Sequence, residues 1–215
     1  MPTLEALHFG PASKGTPKQL VVLCHGLGAD AHDLIDLGHA WAPACPDALF
    51  VSVHAPFECD FGFGRQWWSV ADRTPSVMEA GVRAAAPYLH GFIDAELARL
   101  GLPPEAYALM GFSQGAMMAL FTGLRRAVAP RAILAYSGAL VAPDSLAAEK
   151  QAIAPVLLVH GEADDVVPAF RSRDAESMLH AAGIEVDAHF IPGLGHGIDD
   201  TGLSLGALAL QRGFA

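Results

Sequence analysis

"ALMGFSQGAMM", residues 108–118, decides the fold. An apolar run ends at Gly111, and a Met/Ala-rich segment begins at Gln114. Ser113 stands between Gly111 and Gly115. A buried strand that runs into a helix through a serine forms a sharp turn, which lifts the hydroxyl above the sheet edge. Flanking glycines suit that turn, because it strains the backbone and presses strand against helix. The five letters alone are weak, since G-x-S-x-G arises by chance in about one chain in ten of this length. Serine is also a favoured helix N-cap. The setting and the partners of Ser113 decide between nucleophile and cap.

The setting is an alternation of short apolar runs with helical segments. The runs 19–26, 48–56, 106–113, 131–138, 154–161 and 185–193 are nearly continuous in apolar residues and rich in β-branched or aromatic types. Strands buried on both faces of a parallel sheet have this composition. Helices are expected over Asp33–Trp41, Pro75–Leu100, Gln114–Arg126, Ala169–Ala182 and Asp199–Gln211. Pro87 is expected to kink or split the long one. Asp199, Asp200 and Thr201 are its last helix's cap candidates. This alternation predicts one α/β domain over residues 1–215, with a mostly parallel central sheet flanked by helices. The longest irregular stretch, "FECDFGFGRQWWSV" (57–70), reads as a functional loop.

Composition narrows the function. Of 215 residues, 52% are hydrophobic and 17% charged, enough apolar surface for a substantial core. The net charge is −10, and only the pair Arg125–Arg126 approaches a basic cluster, which disfavours a nucleic-acid partner. No uncharged apolar stretch reaches the roughly 18 residues of a membrane span. The first residues lack a basic segment followed by an apolar one, so no secretory signal is expected. Cys24, Cys45 and Cys59 are odd in number and lack metal-ligand spacing. They read as reduced thiols, and the protein as cytoplasmic.

A serine hydroxyl needs a base within hydrogen-bond reach, and the base needs an orienting acid. In such sheets the order is serine, acid, histidine, each beyond a later strand. "LLVHGEADDVVP" (157–168) offers Glu162, Asp164 and Asp165 after one strand, and His196 follows the next through a short glycine loop. Individually, Asp164 reads as a turn residue and His196 as a loop histidine; their joint placement argues for a triad. His160 precedes the acids and reads as a locally packed residue. "HGEADD" is not a recognised metal-ligand pattern, so no metal is expected. For the oxyanion, the donors are the N–H of Gln114 and that of Leu27 in "LCHGLGAD" (23–30).

"LCHGLGAD", "GFSQGA", "HGEADDVVP" and "GLGHGI" together resemble the phospholipase/carboxylesterase family of α/β-hydrolases, from about residue 19 onward. The resemblance implies an α/β-hydrolase fold without a large cap domain. It implies Ser113 as nucleophile, Asp164 as acid (Asp165 the runner-up), His196 as base, and Leu27 and Gln114 as oxyanion donors. "QWWSV" is similar to the family's aromatic segment beside the pocket. The chain departs from the family at Glu162, where Asp is common, and at Ser69, where an acid is common.

The reading is a serine carboxylesterase that works through an acyl-enzyme and needs no cofactor. Its alternatives are a long-chain acyl thioesterase or lysophospholipase, a serine peptidase, and a non-catalytic binding protein of the same fold. The substrate is a small ester or acyl compound. Leu27, Phe61, Phe63, Trp67, Trp68 and Leu140 are candidates for the apolar wall of its cleft. Trp67 and Trp68 have three possible surroundings: the pocket, the core, or a partner subunit in a homodimer. A histidine base predicts that kcat/KM rises from acid to neutral pH.

Overall fold

The computed structural model describes residues 4–151 and 153–215. Among them, strands β1 (Ala6–Phe9), β2 (Gln19–Cys24), β3 (Ala48–Val53), β6 (Tyr107–Phe112), β7 (Ile133–Tyr136), β8 (Val156–Gly161) and β9 (Val186–Ile191) form one sheet. Its order is β1-β3-β2-β6-β7-β8-β9. All neighbours pair in parallel except β1, which runs antiparallel to β3. Two residues each of β4 (Phe57–Glu58) and β5 (Arg65–Gln66) make a separate ribbon. The helices are α1 (His32–Trp41), α2 (Pro75–Leu100), α3 (Gln114–Arg125), α4 (Pro143–Glu149), α5 (Phe170–Ala181) and α6 (Asp200–Phe214).

The period-two geometry of a strand sends alternate side chains to opposite faces, and both faces here are covered. On β2, Leu20, Val22 and Cys24 join the core under α2, α3 and the Trp67–Trp68 segment. Val21 and Leu23 join the core under α1 and α6. All five are fully buried, and each such aliphatic side chain contributes about 1.5–3 kcal/mol. That is why the inner strands carry almost no polar residues. β9 departs from the expectation of burial on both faces: it is the sheet's edge, Asp187 is exposed, and its other residues are only half-buried.

α2 runs without interruption through Pro87. The apolar stripe Val82, Ala85, Ala86, Leu89, Phe92 and Ile93 packs it on the sheet across that point. Tertiary packing holds the helix where the proline removes one backbone bond. Of the three cap candidates before α6, Asp199 takes the role, its Oδ1 accepting from Gly202 N–H at 2.8 Å. β1, β4, β5 and α4 escape the sequence reading because they are short and not continuously apolar. Between β7 and β8 the only helix among the described residues is the seven-residue α4, so no large cap covers the carboxyl edge of the sheet there.

Candidate active site

Ser113 sits between β6 and α3 at φ 54° and ψ −117°, a left-handed-side conformation that costs an L-residue of order 1–3 kcal/mol. The turn can be this tight because of its glycines. A Cβ on Gly111 would lie 2.1 Å from the Gly115 carbonyl oxygen, and one on Gly115 would lie 1.9 Å from that of Cys24. The pair lets β2, β6 and the first turn of α3 meet. Ser113 occupies the N-cap position of α3, but its side chain makes no cap hydrogen bond.

Asp164 and His196 follow the adjacent parallel strands β8 and β9. Their loops are joined by backbone bonds from Glu162 N–H to Ile191 and from Ala163 N–H to Leu194, both 2.9 Å. His196 Nδ1 lies 2.7 Å from Asp164 Oδ2. The carboxylate can only accept, so Nδ1 carries the proton and Nε2 is left as the basic nitrogen. Phe112 packs against the His196 ring, with centroids 4.8 Å apart. The other oxygen of Asp164, Oδ1, accepts the N–H groups of Val166 and Val167 at 2.9 and 2.8 Å. Burial by itself would raise the Asp164 pKa. The bonds from His196, Val167 and Val166 outweigh it and hold the carboxyl below its usual range. Asp165 makes none of these contacts and is exposed.

His160 is fully buried beside Asp164. Its Nε2–H donates to Val167 O at 2.7 Å and lies 3.2 Å from Asp164 Oδ2. Nδ1 lies 2.7 Å from Ser172 Oγ. Desolvation pushes its pKa down, so the ring is a neutral brace. His25 plays the corresponding part at the end of β2. Its Nδ1–H donates to Gly26 O at 2.7 Å and its Nε2 accepts Ala55 N–H at 3.0 Å. Both bonds require the neutral ring, and burial lowers its pKa. In a trans peptide C=O and N–H point opposite ways. Drawing the Gly26 carbonyl to His25 therefore turns the Leu27 N–H away from it. Neither Leu27 N–H nor Gln114 N–H has a partner among the described residues, and both residues border the cleft.

The cleft holds about 250 Å³ and is bordered by Gly26, Leu27, Ser113, Gln114, His196 and a mainly apolar wall. That wall consists of Val70, Met78, Phe112, Met117, Val166 and Val167, with Arg73 beside them. The expected wall is therefore largely replaced. Trp67 and Trp68 are 0% and 3% exposed and lie in the core. They brace the His25 and Gln114 side of the cleft: Trp67 Nε1–H donates to His25 O at 3.0 Å, Trp67 N–H to Gln114 Oε1 at 2.9 Å, and Gln114 Nε2–H to Trp68 O at 2.8 Å. Core, and neither pocket nor partner subunit, is their setting. Phe63 borders a separate hollow of about 730 Å³ beside the β4–β5 ribbon, and Phe61 is exposed. Leu140 is half-buried against the core. Among the assigned wall residues, Leu27 alone borders the cleft.

The sequence reading missed the roles of His25, Arg73, Met117 and the Val166–Val167 pair. One signal was present: "LCHG" and "LVHG" both end a strand in His-Gly. The departures from the family pattern serve local structure. Glu162 pairs with Arg173 at 2.7 Å, and Ser69 Oγ donates to Asp60 at 2.5 Å. Among the described residues no group of His, Cys, Asp or Glu has the arrangement of a metal site.

A mostly parallel sheet with a strained serine after a central strand, an acid and a histidine after the later ones, and free backbone donors opposite defines an α/β-hydrolase of the serine-hydrolase type. A sequence profile of the phospholipase/carboxylesterase family matches residues 11–206, and the chain belongs to that family. The esterase YpfH of Escherichia coli is 32% identical over 194 residues, covering 90% of this chain and 82% of that protein. Acyl-protein thioesterase 1 of Gibberella zeae is 29% identical over 217 residues, covering 88% and 87%. The crystal structure of esterase PE8 superposes with a TM-score of 0.93 at 42% identity, covering 98% of this chain and 99% of that one.

Proposed function

We propose that the protein is a serine carboxylesterase for short to medium acyl chains, with Ser113, His196 and Asp164 as its triad. The observation that carries this is the Asp164–His196 hydrogen bond beside a cleft shared with the strained Ser113. Ser113 Oγ attacks the acyl carbonyl carbon, and His196 Nε2 takes the hydroxyl proton. The carbonyl oxygen becomes an oxyanion held by the N–H groups of Leu27 and Gln114, each donor worth about 3–4 kcal/mol in such sites. His196 then protonates the leaving alkoxide, and the C–O bond breaks. Water, activated by the same nitrogen, releases the carboxylic acid and restores Ser113. No cofactor enters this sequence.

The volume of the cleft supports the short to medium range. A cleft of about 250 Å³ is small beside the roughly 300–1,000 Å³ of sites for drug-sized ligands. Each buried methylene is worth about 0.8 kcal/mol, roughly fourfold in rate. The expected profile of kcat/KM over p-nitrophenyl esters from acetyl to palmitoyl, with Ser113→Ala as blank, has its maximum at about two to six carbons. A steady rise to palmitoyl would transfer the proposal to the second reading, a long-chain thioesterase or lysophospholipase, which the similarity to acyl-protein thioesterases supports. Rates equal to the blank at every length would remove both.

The reading also places the enzyme in the cytoplasm without a nucleic-acid partner. Three free, buried cysteines suit a reducing compartment, and the net charge of −10 repels phosphate backbones. No helix among the described residues is long and apolar enough to cross a membrane. The homodimer belongs to the same proposal, with exposed Phe61 and Phe63 as the surface it would cover; sedimentation equilibrium tests it.

A further inference from the structure

Arg73 is out of character with the cleft it borders. The surrounding wall is apolar, the Gln114 side-chain amide is spent on Trp67 and Trp68, and His196 Nδ1 is spent on Asp164. The chain as a whole is acidic, and six of its ten arginines are matched with carboxylates: Arg83, Arg99, Arg125, Arg126, Arg173 and Arg212 form ion pairs. Arg73 forms no ion pair and no hydrogen bond among the described residues. The acid next to it is turned elsewhere, since Asp72 Oδ1 accepts Thr74 N–H at 2.8 Å. That bond, the Ser69 Oγ contacts with Asp60 and Ala71, and Pro75 opening α2 hold the backbone on both sides of Arg73. The loop thus sets where the exposed Arg73 side chain leaves the backbone, beside the cleft.

A guanidinium beside low-dielectric walls concentrates anions and binds carboxylate or phosphate through paired N–H bonds. A neutral ester makes no use of it. We infer that this site, if its esterase reading above holds, selects acyl substrates that carry an anionic group, a carboxylate or a phosphate, bound by Arg73 close to the scissile carbonyl. The anion can belong to the acyl chain or to the leaving group, and the two sources are separable.

The experiment compares kcat/KM for matched pairs of chromogenic esters in the full-length protein and in Arg73→Gln and Arg73→Glu. On the acyl side, p-nitrophenyl hemiglutarate is set against p-nitrophenyl pentanoate. On the leaving-group side, 3-carboxy-4-nitrophenyl pentanoate is set against p-nitrophenyl pentanoate. The readout is the anionic-to-neutral ratio within each protein, so a general change in activity cancels. In one arm the ratio is expected to fall by about threefold to fivefold in Arg73→Gln and further in Arg73→Glu, the size of an exposed charge-assisted contact. In that arm the wild-type ratio should also shrink when salt is raised to about 0.5 M, whereas the Arg73→Gln ratio should not. The arm that responds identifies the source of the anion. Ratios that agree within about twofold between wild type and Arg73→Gln in both arms would overturn the inference and leave the esterase reading intact. No hydrolysis above the Ser113→Ala blank would overturn both.

Discussion

The two sides of the cleft are built in opposite ways. On the proposed acid–base side, the mechanism assigns the chemistry to side chains, and hydrogen-bonded loops carry them. Asp164 and His196 project from neighbouring strands, and Gly161 lets their loops close: a Cβ there would lie 2.2 Å from the Leu194 carbonyl oxygen. On the proposed oxyanion side, the mechanism assigns the chemistry to the backbone, and side chains aim it. His25 turns the Gly26–Leu27 peptide, and Trp67 and the Gln114 side chain tie that loop to the first residue of α3. Reactive side chains leave a residue type at a required place in the sequence. Aimed peptides leave none, because any residue has an N–H.

The largest effect separates the two neighbouring acids on the first side. Asp164→Asn should lower kcat about 10⁴-fold by disrupting the histidine's tautomer and charge support, whereas Asp165→Asn should stay within about threefold. Equal losses in both variants would dissolve the assignment of Asp164. Gly115→Ala comes next and tests the junction of the two sides. Its Cβ would meet backbone atoms of Cys24 and His25 that cannot move independently, so a loss of about 4 kcal/mol or failure to fold is expected in urea titrations. A loss under about 1 kcal/mol would mean that β2 and α3 yield freely.

His25→Gln probes the oxyanion side. The amide cannot reproduce both ring contacts, and the Leu27 N–H should lose its aim. kcat is expected to fall about tenfold to a hundredfold with KM within threefold, and affinity for a boronate analogue of the tetrahedral intermediate should fall in parallel. Unchanged boronate affinity would reduce His25 to a packing residue.

The smallest effect is on acid stability. His25, His90 and His160 have pKa values lowered chiefly by burial. The unfolded chain then binds more protons than the folded one as pH drops below about 6.5, so stability is full above that pH and drains away towards the folded-state values. Asp164, also lowered, and Glu149, held at about 2 by Arg125 and then Arg83, add a second loss below about pH 4. Urea midpoints should drop between pH 7.5 and 5, and less so in a His25→Gln, His160→Gln double variant. An identical slope in that variant would exclude the two rings as the source.

Much was legible without coordinates. The apolar runs that became β2, β3, β6, β7 and β8 are buried on both faces, so composition alone marks them. Short pieces such as β1, β4, β5 and α4 carry too few residues for a periodic signal and exist because neighbours pair with them or cover them. Trp67 and Trp68 show the same limit from the other side. An aromatic pair in a glycine-rich loop is equally suited to a pocket and a core, and only the distance to Gln114 and His25 distinguishes them.

By itself the sequence determined the order of the six apolar strands and the five longer helices along the chain, the elbow at Ser113, and the positions from which Asp164 and His196 converge. Those features depend on local sterics and on hydrophobic runs, which neighbouring residues specify. Tertiary structure alone decided which way the Gly26–Leu27 peptide faces, that the two tryptophans brace rather than line the cleft, and that Arg73 borders it. Each depends on contacts between residues dozens of positions apart, whose geometry no short stretch of the chain encodes.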